Sequence, residues 1–136
     1  MQFSVLMATY IKDDSLLLAK ALKSIDDQTI RSSELVLVEN GPLTQDLYSV
    51  IEDYRESLNI ISVKLTKNFG LAIALNRGLE VVRNNIVFRA DSDDVNLTFR
   101  FEKQLEKFAE GYELVGGVIR EVDKNGAHIG IRTVPF

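Results

Sequence analysis

Three carboxylates crowd into four consecutive positions at Asp91-Ser92-Asp93-Asp94, directly after the apolar run Ile86-Val87-Phe88 and the pair Arg89-Ala90. Acidic side chains this close repel one another unless something positive sits among them. A hard divalent cation, Mg²⁺ or Mn²⁺, is the economical partner because such ions prefer carboxylate oxygen. A solvated turn is the competing account, since Asp and Ser also favour turns and helix starts. Spacing alone leaves both open. The position favours a site: a short, bounded apolar run reads as a buried strand, and open α/β sheets bind ligands beyond their strand ends.

The elements that must carry these groups alternate regularly. Phe3 to Ala8 reads as a first strand ending at Thr9-Tyr10, with Asp13, Asp14 and Ser15 as cap candidates for a helix to about Asp27. Leu35 to Val38 reads as a second strand, closed by the turn signal Glu39-Asn40-Gly41-Pro42. Thr44 opens a helix carrying Leu47, Ile51 and Leu58 at helical spacing, and Ile60 to Leu65 is a third strand leading to Lys67-Asn68. The next helix, about Leu71 to Arg83, should turn Leu71, Leu75, Leu79 and Val82 inward. Gly78 inside it implies close approach to another backbone. After the acidic cluster a helix is expected from Asn96 or Thr98 to near Gly111, with Phe101, Leu105 and Phe108 inward. Tyr112 to Ile119 reads as a fifth strand, and Lys124-Asn125-Gly126 as the turn of a terminal hairpin.

This order predicts an α/β, Rossmann-like fold: a mainly parallel sheet flanked by helices on both faces, with a C-terminal β-hairpin. Thr9-Tyr10, Glu39-Asn40, Lys67-Asn68 and Asp91-Ser92-Asp93 would then share the carboxyl edge. A nucleotide could use them together. Tyr10 offers a flat face to a base, and Glu39 and Asn68 offer hydrogen bonds to its edge. Asp91 can accept from ribose hydroxyls, while Asp93 can hold a metal bridging a diphosphate. Each also has a plainer account: Tyr10 as a packed aromatic, Glu39-Asn40 as turn chemistry, Asn68 as a helix cap, Asp94 as a turn residue, and Lys67 and Arg77 as solvated cations.

Composition removes several alternatives. The 136 residues suffice for one cored domain, and the net charge of -4 disfavours a nucleic-acid partner. No cysteine is present, which excludes disulfides, zinc-thiolate sites and thiol nucleophiles. The single histidine, His128, lies in a polar stretch and reads as surface. No P-loop and no G-x-G-x-x-G after the first strand is found. The N-terminus runs straight into a strand-like segment too short for a signal peptide or membrane span, which fits a reducing, cytoplasmic setting.

At this point the chain resembles the nucleotide-binding half of inverting family 2 glycosyltransferases with the glycosyltransferase A fold. The subgroup it resembles builds bacterial exopolysaccharide, capsule or lipopolysaccharide. The resemblance rests on Ser4 to Tyr10, Val36 to Leu43, Asn68-Phe69-Gly70-Leu71 with Ala74 to Leu79, Arg89 to Asp94, Arg100 to Gln104, and Val115 to Ile119. It implies that Thr9, Tyr10, Glu39 and Asn68 surround the base, and that Asp91 and Asp93 form a D-x-D element touching ribose and metal. The implied donor is a nucleotide-diphosphate sugar, most commonly a UDP-sugar. The implied acceptor is a saccharide or lipid-linked molecule, with peripheral membrane association of the full-length protein. Two departures stand out: Glu39-Asn40 replaces a common Asp pair, and the usual proline before Arg100 is missing.

Residues 1–136 are accordingly expected to form a nucleotide-sugar-binding domain whose acceptor half, with the general base, lies beyond Phe136. An apolar surface left bare would encourage self-association. Two rivals remain. One is a non-catalytic nucleotide-binding module. The other is a haloacid-dehalogenase-like phosphatase with Asp91 as nucleophile and Asp93 as acid/base, although that motif normally sits on a first strand.

Overall fold

The computed structural model describes residues 1–123 and 125–132, which fall into two compact units, Met1–Phe101 and Glu102–Phe136. In the first unit, β1 (Ser4–Thr9), β2 (Glu34–Glu39), β3 (Ile60–Lys64) and β4 (Val87–Arg89) form one parallel sheet in the order β3-β2-β1-β4. The crossovers are α1 (Ser15–Asp26), α2 (Gln45–Arg55) and α3 (Leu71–Leu79). From β1 the chain steps outward twice, through α1 and α2. It then returns past β1 to lay down β4 on the other side. Right-handed crossovers therefore place α1 and α2 on one face and α3 on the opposite one. The expected parallel sheet covered on both faces is what forms.

Pleating sorts the apolar strand residues between those faces. Leu6, Val36 and Val38 pack with Ala74 beneath α3. Val5, Met7, Leu35 and Leu37 alternate with them and are equally inaccessible, as are Leu18 and Leu22 of α1 and Leu47 and Ile51 of α2. At the β1–β4 side, Phe3 meets Phe88 edge-on at 4.9 Å and Phe101 at 5.1 Å, closing an aromatic cluster with Phe88–Phe101 at 4.7 Å.

The third helix departs from expectation. It ends at Leu79 rather than Arg83, and Leu71 and Leu79 are about half exposed. Its buried face is the small pair Ala74 and Gly78, four residues apart, with Leu75 partly buried. A Cβ on Gly78 would fall onto Leu6 Cδ1 and lie 2.9 Å from Val38 Cγ2. The close approach is thus to sheet side chains, not to a backbone. Small residues let α3 settle directly on the sheet, which leaves Leu71 and Leu79 outward, while Leu75 and Val82 pack against the cluster as expected.

Helix α4 (Arg100–Ala109) begins later than Asn96 or Thr98. Asn96 is buried instead, its backbone N–H donating to Ser24 Oγ at 2.9 Å. Phe101 and Leu105 are buried and Phe108 is half-buried. In the second unit the fifth strand is displaced: residues 112–118 form none, and β5 (Ile119–Val122) pairs antiparallel with β6 (His128–Arg132) in a separate two-stranded sheet. Gly116-Gly117 offers no side chains to pack, which weakens a strand there. The expected hairpin is present. Asp123 Oδ1 accepts from Asn125 N at 2.8 Å and Ala127 N at 2.9 Å, and Gly126 takes φ 85°. Lys124 of the expected turn lies outside the described residues. His128 is exposed.

Candidate functional site

All four parallel strands point their carboxyl ends at one side of the first unit, and β1 lies where the strand order reverses. A cleft of about 400 Å³ opens there, lined by Ala8 of β1, Tyr10 and Asp13 after β1, Asn40 after β2, Asn68, Gly70 and Leu71 after β3, and Asp91, Ser92 and Asp93 after β4. The convergence expected at the switch point of such a sheet is realised.

Of the six residues singled out from sequence, Tyr10, Asn68, Asp91 and Asp93 line this cleft. Tyr10 is 37% exposed, so part of its ring is open to a ligand. Thr9 and Glu39 are each 2% exposed and sit behind the lining. Thr9 Oγ1 donates to Asp13 Oδ2 at 2.7 Å. Glu39 contributes to holding the Arg55 proton firmly, after the larger effect of the hydrogen bond from Arg55 to Glu52. Lys67 stands over the Phe69 ring at 5.2 Å and, like Arg77, is exposed outside the lining.

Asn40 and Asp13 belong to the lining but were not singled out. Asn40 donates from Nδ2 to Asn68 Oδ1 at 2.9 Å and accepts from Phe69 N at 3.0 Å. Asn68 Oδ1 also accepts from Gly70 N at 2.8 Å, so Asn68 shapes the turn before α3, while Gly70 is the uncapped N-cap. Gly41 makes the approach possible. Its φ is 95°, and a Cβ would lie 3.0 Å from Asn68 N and 3.1 Å from Lys67 C. Asp14 takes the α1 cap, accepting from Leu16 N at 2.8 Å and Leu17 N at 3.2 Å, which leaves Asp13 to other work. The available signal was position: Asn40 follows the end of β2 directly and Asp13 lies in the loop between β1 and α1, but cap and turn propensities masked it.

Arg100 anchors the acidic wall. Its guanidinium donates to Arg89 O at 2.8 Å and to Asn96 Oδ1 at 2.5 Å, and lies 5.6 Å from the centroids of both Phe88 and Phe101. Burial lowers its pKa below the ordinary value, an effect opposed by attraction to Asp91 and Asp94. Arg89 reaches Asp91 Oδ1 at 3.2 Å across an exposed pair. Desolvation pushes the Asp94 carboxyl above its ordinary 3.8, helped by repulsion from Asp91 and Asp93 and by its hydrogen bond to Asp91.

That shift has a signed consequence. The folded chain holds the Asp94 proton more firmly than the unfolded chain does. Ionised Asp94 therefore costs stability above its raised folded pKa, and the cost disappears as pH falls below 3.8. Asp94→Asn, whose amide can still donate to Asp91, should raise the melting temperature slightly at neutral pH. The gain should vanish in acid; a gain that persists unchanged to low pH counts against this origin.

The same crowding tests the fit of a cation. Among the described residues, no group of three or more His, Cys, Asp or Glu side chains forms a ready-made cage. Asp91 and Asp93 do place carboxylates on the cleft, and each repels the Asp94 carboxylate beside them. Mg²⁺-type ions are commonly held by one or two carboxylates together with substrate phosphates. The donor set fits that arrangement, with Asp93 and then Asp91 as the candidate ligands.

Among the described residues no helix is long and apolar enough to cross a membrane. The model of glycosyl transferase family 2 matches residues 4–134. Over 101 residues the chain is 50% identical to the Escherichia coli UDP-Gal:alpha-D-GlcNAc-diphosphoundecaprenol beta-1,3-galactosyltransferase, covering 74% of this chain and 37% of that protein. The S. aureus TarS 1-349 structure in complex with UDP-GlcNAc superposes with a TM-score of 0.71 at 26% identity, covering 81% of this chain and 32% of that one. The Pyrobaculum calidifontis mannosyltransferase PcManGT, in complex with GDP-Man and Mn²⁺, gives a TM-score of 0.59 at 27% identity over 68% of this chain and 27% of that one. This chain spans about half the length, or less, of the curated relatives it matches. A parallel sheet ending in a cleft with a D-x-D rim, and a family match running almost end to end, agree: the chain belongs to glycosyl transferase family 2.

Proposed function

We propose that this chain is the nucleotide-sugar-binding domain of a glycosyltransferase that passes a sugar from a nucleotide diphosphate to a saccharide or lipid-linked acceptor in bacterial surface-polysaccharide synthesis. One observation carries the reading: loops from four strand ends bring Tyr10, Asn40, Asn68, Asp91 and Asp93 to a single cleft. In this reading Tyr10 stacks on the base and Asn68, braced by Asn40, hydrogen-bonds its edge. Thr9 and Glu39 back that wall from inside. Asp91, oriented by Arg89, accepts from the ribose hydroxyls, and Asp93 holds Mn²⁺ or Mg²⁺. When bound, such an ion supplies charge neutralisation for a diphosphate that the acidic rim would otherwise repel, and for the charge left on departing diphosphate. Transfer with inversion needs a base to activate the acceptor hydroxyl. No cleft residue is assigned that role; the proposal puts it outside residues 1–136.

The 50% identical relative named for UDP-Gal and the TarS complex with UDP-GlcNAc favour UDP as the nucleotide, and the mannosyltransferase complex supports Mn²⁺. The diphosphoundecaprenol acceptor in that relative's name supports a lipid-linked acceptor here, with the full-length protein cytoplasmic at the inner face of the membrane. Exposed Ile119, Val122, Ile129 and Ile131 on the hairpin support self-association of the chain by itself.

Calorimetric titration with UDP, GDP and UMP, with and without Mn²⁺, tests the reading. Mn²⁺-dependent binding of a diphosphate is expected, with UDP ahead of GDP and UMP weaker. The absence of any metal-dependent diphosphate preference removes the proposal. The partial span of the chain favours a second reading, a donor-binding fragment without transfer activity, which binds UDP-sugar but leaves it intact with any acceptor.

A further inference from the structure

We infer that Asp13 is the positioning residue that locks the base-side wall of the cleft to its acidic wall, so that one bound nucleotide can meet both. This rests on the nucleotide-binding reading above and adds a role for a residue that reading leaves unused. Three donors converge on one carboxylate oxygen. Asp13 Oδ2 accepts from Thr9 Oγ1 at 2.7 Å, from Tyr10 N at 3.2 Å and from Ser92 Oγ at 2.8 Å. The first two, with the backbone bond from Asp13 N to Tyr10 O at 3.0 Å, shape the turn that presents Tyr10. The third crosses 79 residues of sequence to the middle of the D-x-D element.

The geometry explains why a carboxylate stands there. A charged acceptor makes shorter and stronger bonds to hydroxyl and amide donors than a neutral one. The residue is half-buried and lines the cleft itself. Without it, Ser92 Oγ loses its tie to the β1 exit, and Tyr10 and Asp93 can shift independently. Base contact and diphosphate contact would then no longer be offered at one fixed separation. The role is one of placement: the bonds reach Thr9, Tyr10 and Ser92, and through them the groups proposed to touch ligand.

The test compares wild type, Asp13→Ala, Asp13→Asn and Ser92→Ala. The readout is the factor by which Mn²⁺ raises UDP affinity, with affinity for uridine alone and melting temperature as controls. A residue that acts on its neighbours at a metal site is worth about 10- to 100-fold. Asp13→Ala is therefore expected to cut the Mn²⁺ enhancement about tenfold. Because all three donors share one oxygen, Asp13→Asn can keep them on its amide oxygen, though as weaker, uncharged bonds, and should recover part of the enhancement. Ser92→Ala removes only the cross-link. It should lower the enhancement while leaving uridine affinity and melting temperature near wild type, and it keeps the test open if Asp13→Ala does not fold. Wild-type enhancement in Ser92→Ala, or in a folded Asp13→Ala, overturns the positioning role alone. A wild-type chain without Mn²⁺-dependent UDP binding overturns the nucleotide reading, and this role with it.

Discussion

Asp93→Ala is expected to lower Mn²⁺-dependent affinity for UDP by about a hundredfold while leaving the fold intact. Groups that merely surround a metal ligand are worth about 10- to 100-fold, so a ligand itself should sit at the top of that range or above it. The side chain is exposed on the cleft and makes no hydrogen bond or ion pair among the described residues, so its removal leaves no orphaned buried group. It also relieves repulsion on Asp94. Melting temperature should therefore hold or rise slightly. Calorimetry with and without Mn²⁺ checks the binding, and thermal denaturation checks the fold. Uridine, which lacks phosphate, should bind the variant as it binds wild type. Equal losses for uridine and UDP would mean that Asp93 shapes the pocket and does not hold an ion.

Phe3→Ala carries the largest expected effect on stability, about 3–5 kcal/mol, the usual range for truncating a buried aromatic. Phe3 has no accessible surface and is in ring contact with both Phe88 and Phe101. The cavity left behind is walled by rings on a strand and a helix that are held elsewhere and cannot close on it fully. Edge-to-face pairs add about 0.5–1.5 kcal/mol beyond the buried area. Against a total stability of about 5–15 kcal/mol, the loss is large. Urea unfolding should show a lower midpoint with an unchanged slope. The effect should also reach the site, because Arg100 stands over Phe88 and Phe101 and holds the carbonyl of Arg89, two residues before Asp91. A loss below about 1.5 kcal/mol would contradict this account of the cluster.

The phosphatase alternative loses its footing in the same geometry. Asp91-Ser92-Asp93 follows the fourth strand, not the first, and the family match spans residues 4–134.

The alternation of strands and helices was legible because each signal is local. Apolar runs such as Leu35 to Val38 and cap residues such as Asp14 and Thr44 report on their own few neighbours. The acidic cluster was legible for the same reason, and strand-end position anticipated that Tyr10, Asn68, Asp91 and Asp93 would line one cleft. Which side chains reach the cleft surface was not. Thr9 and Glu39 are buried in the folded sheet, and no local pattern encodes that burial. The orientation of α3 escaped likewise: leucine spacing pointed to one face, but direct seating on Leu6 and Val38 selected the face of Ala74 and Gly78.

By itself, then, the amino-acid order determined the kinds of element, their parallel arrangement and the edge where the polar loop residues would meet. Tertiary structure alone decided that Asp14 caps the helix while Asp13 ties together loops 79 residues apart, and that Asn40 braces Asn68. The reason is physical. Propensity and periodicity act over a few residues, and adjacent aspartates are equivalent on that scale until the folded sheet brings Ser92 within hydrogen-bonding distance of one of them.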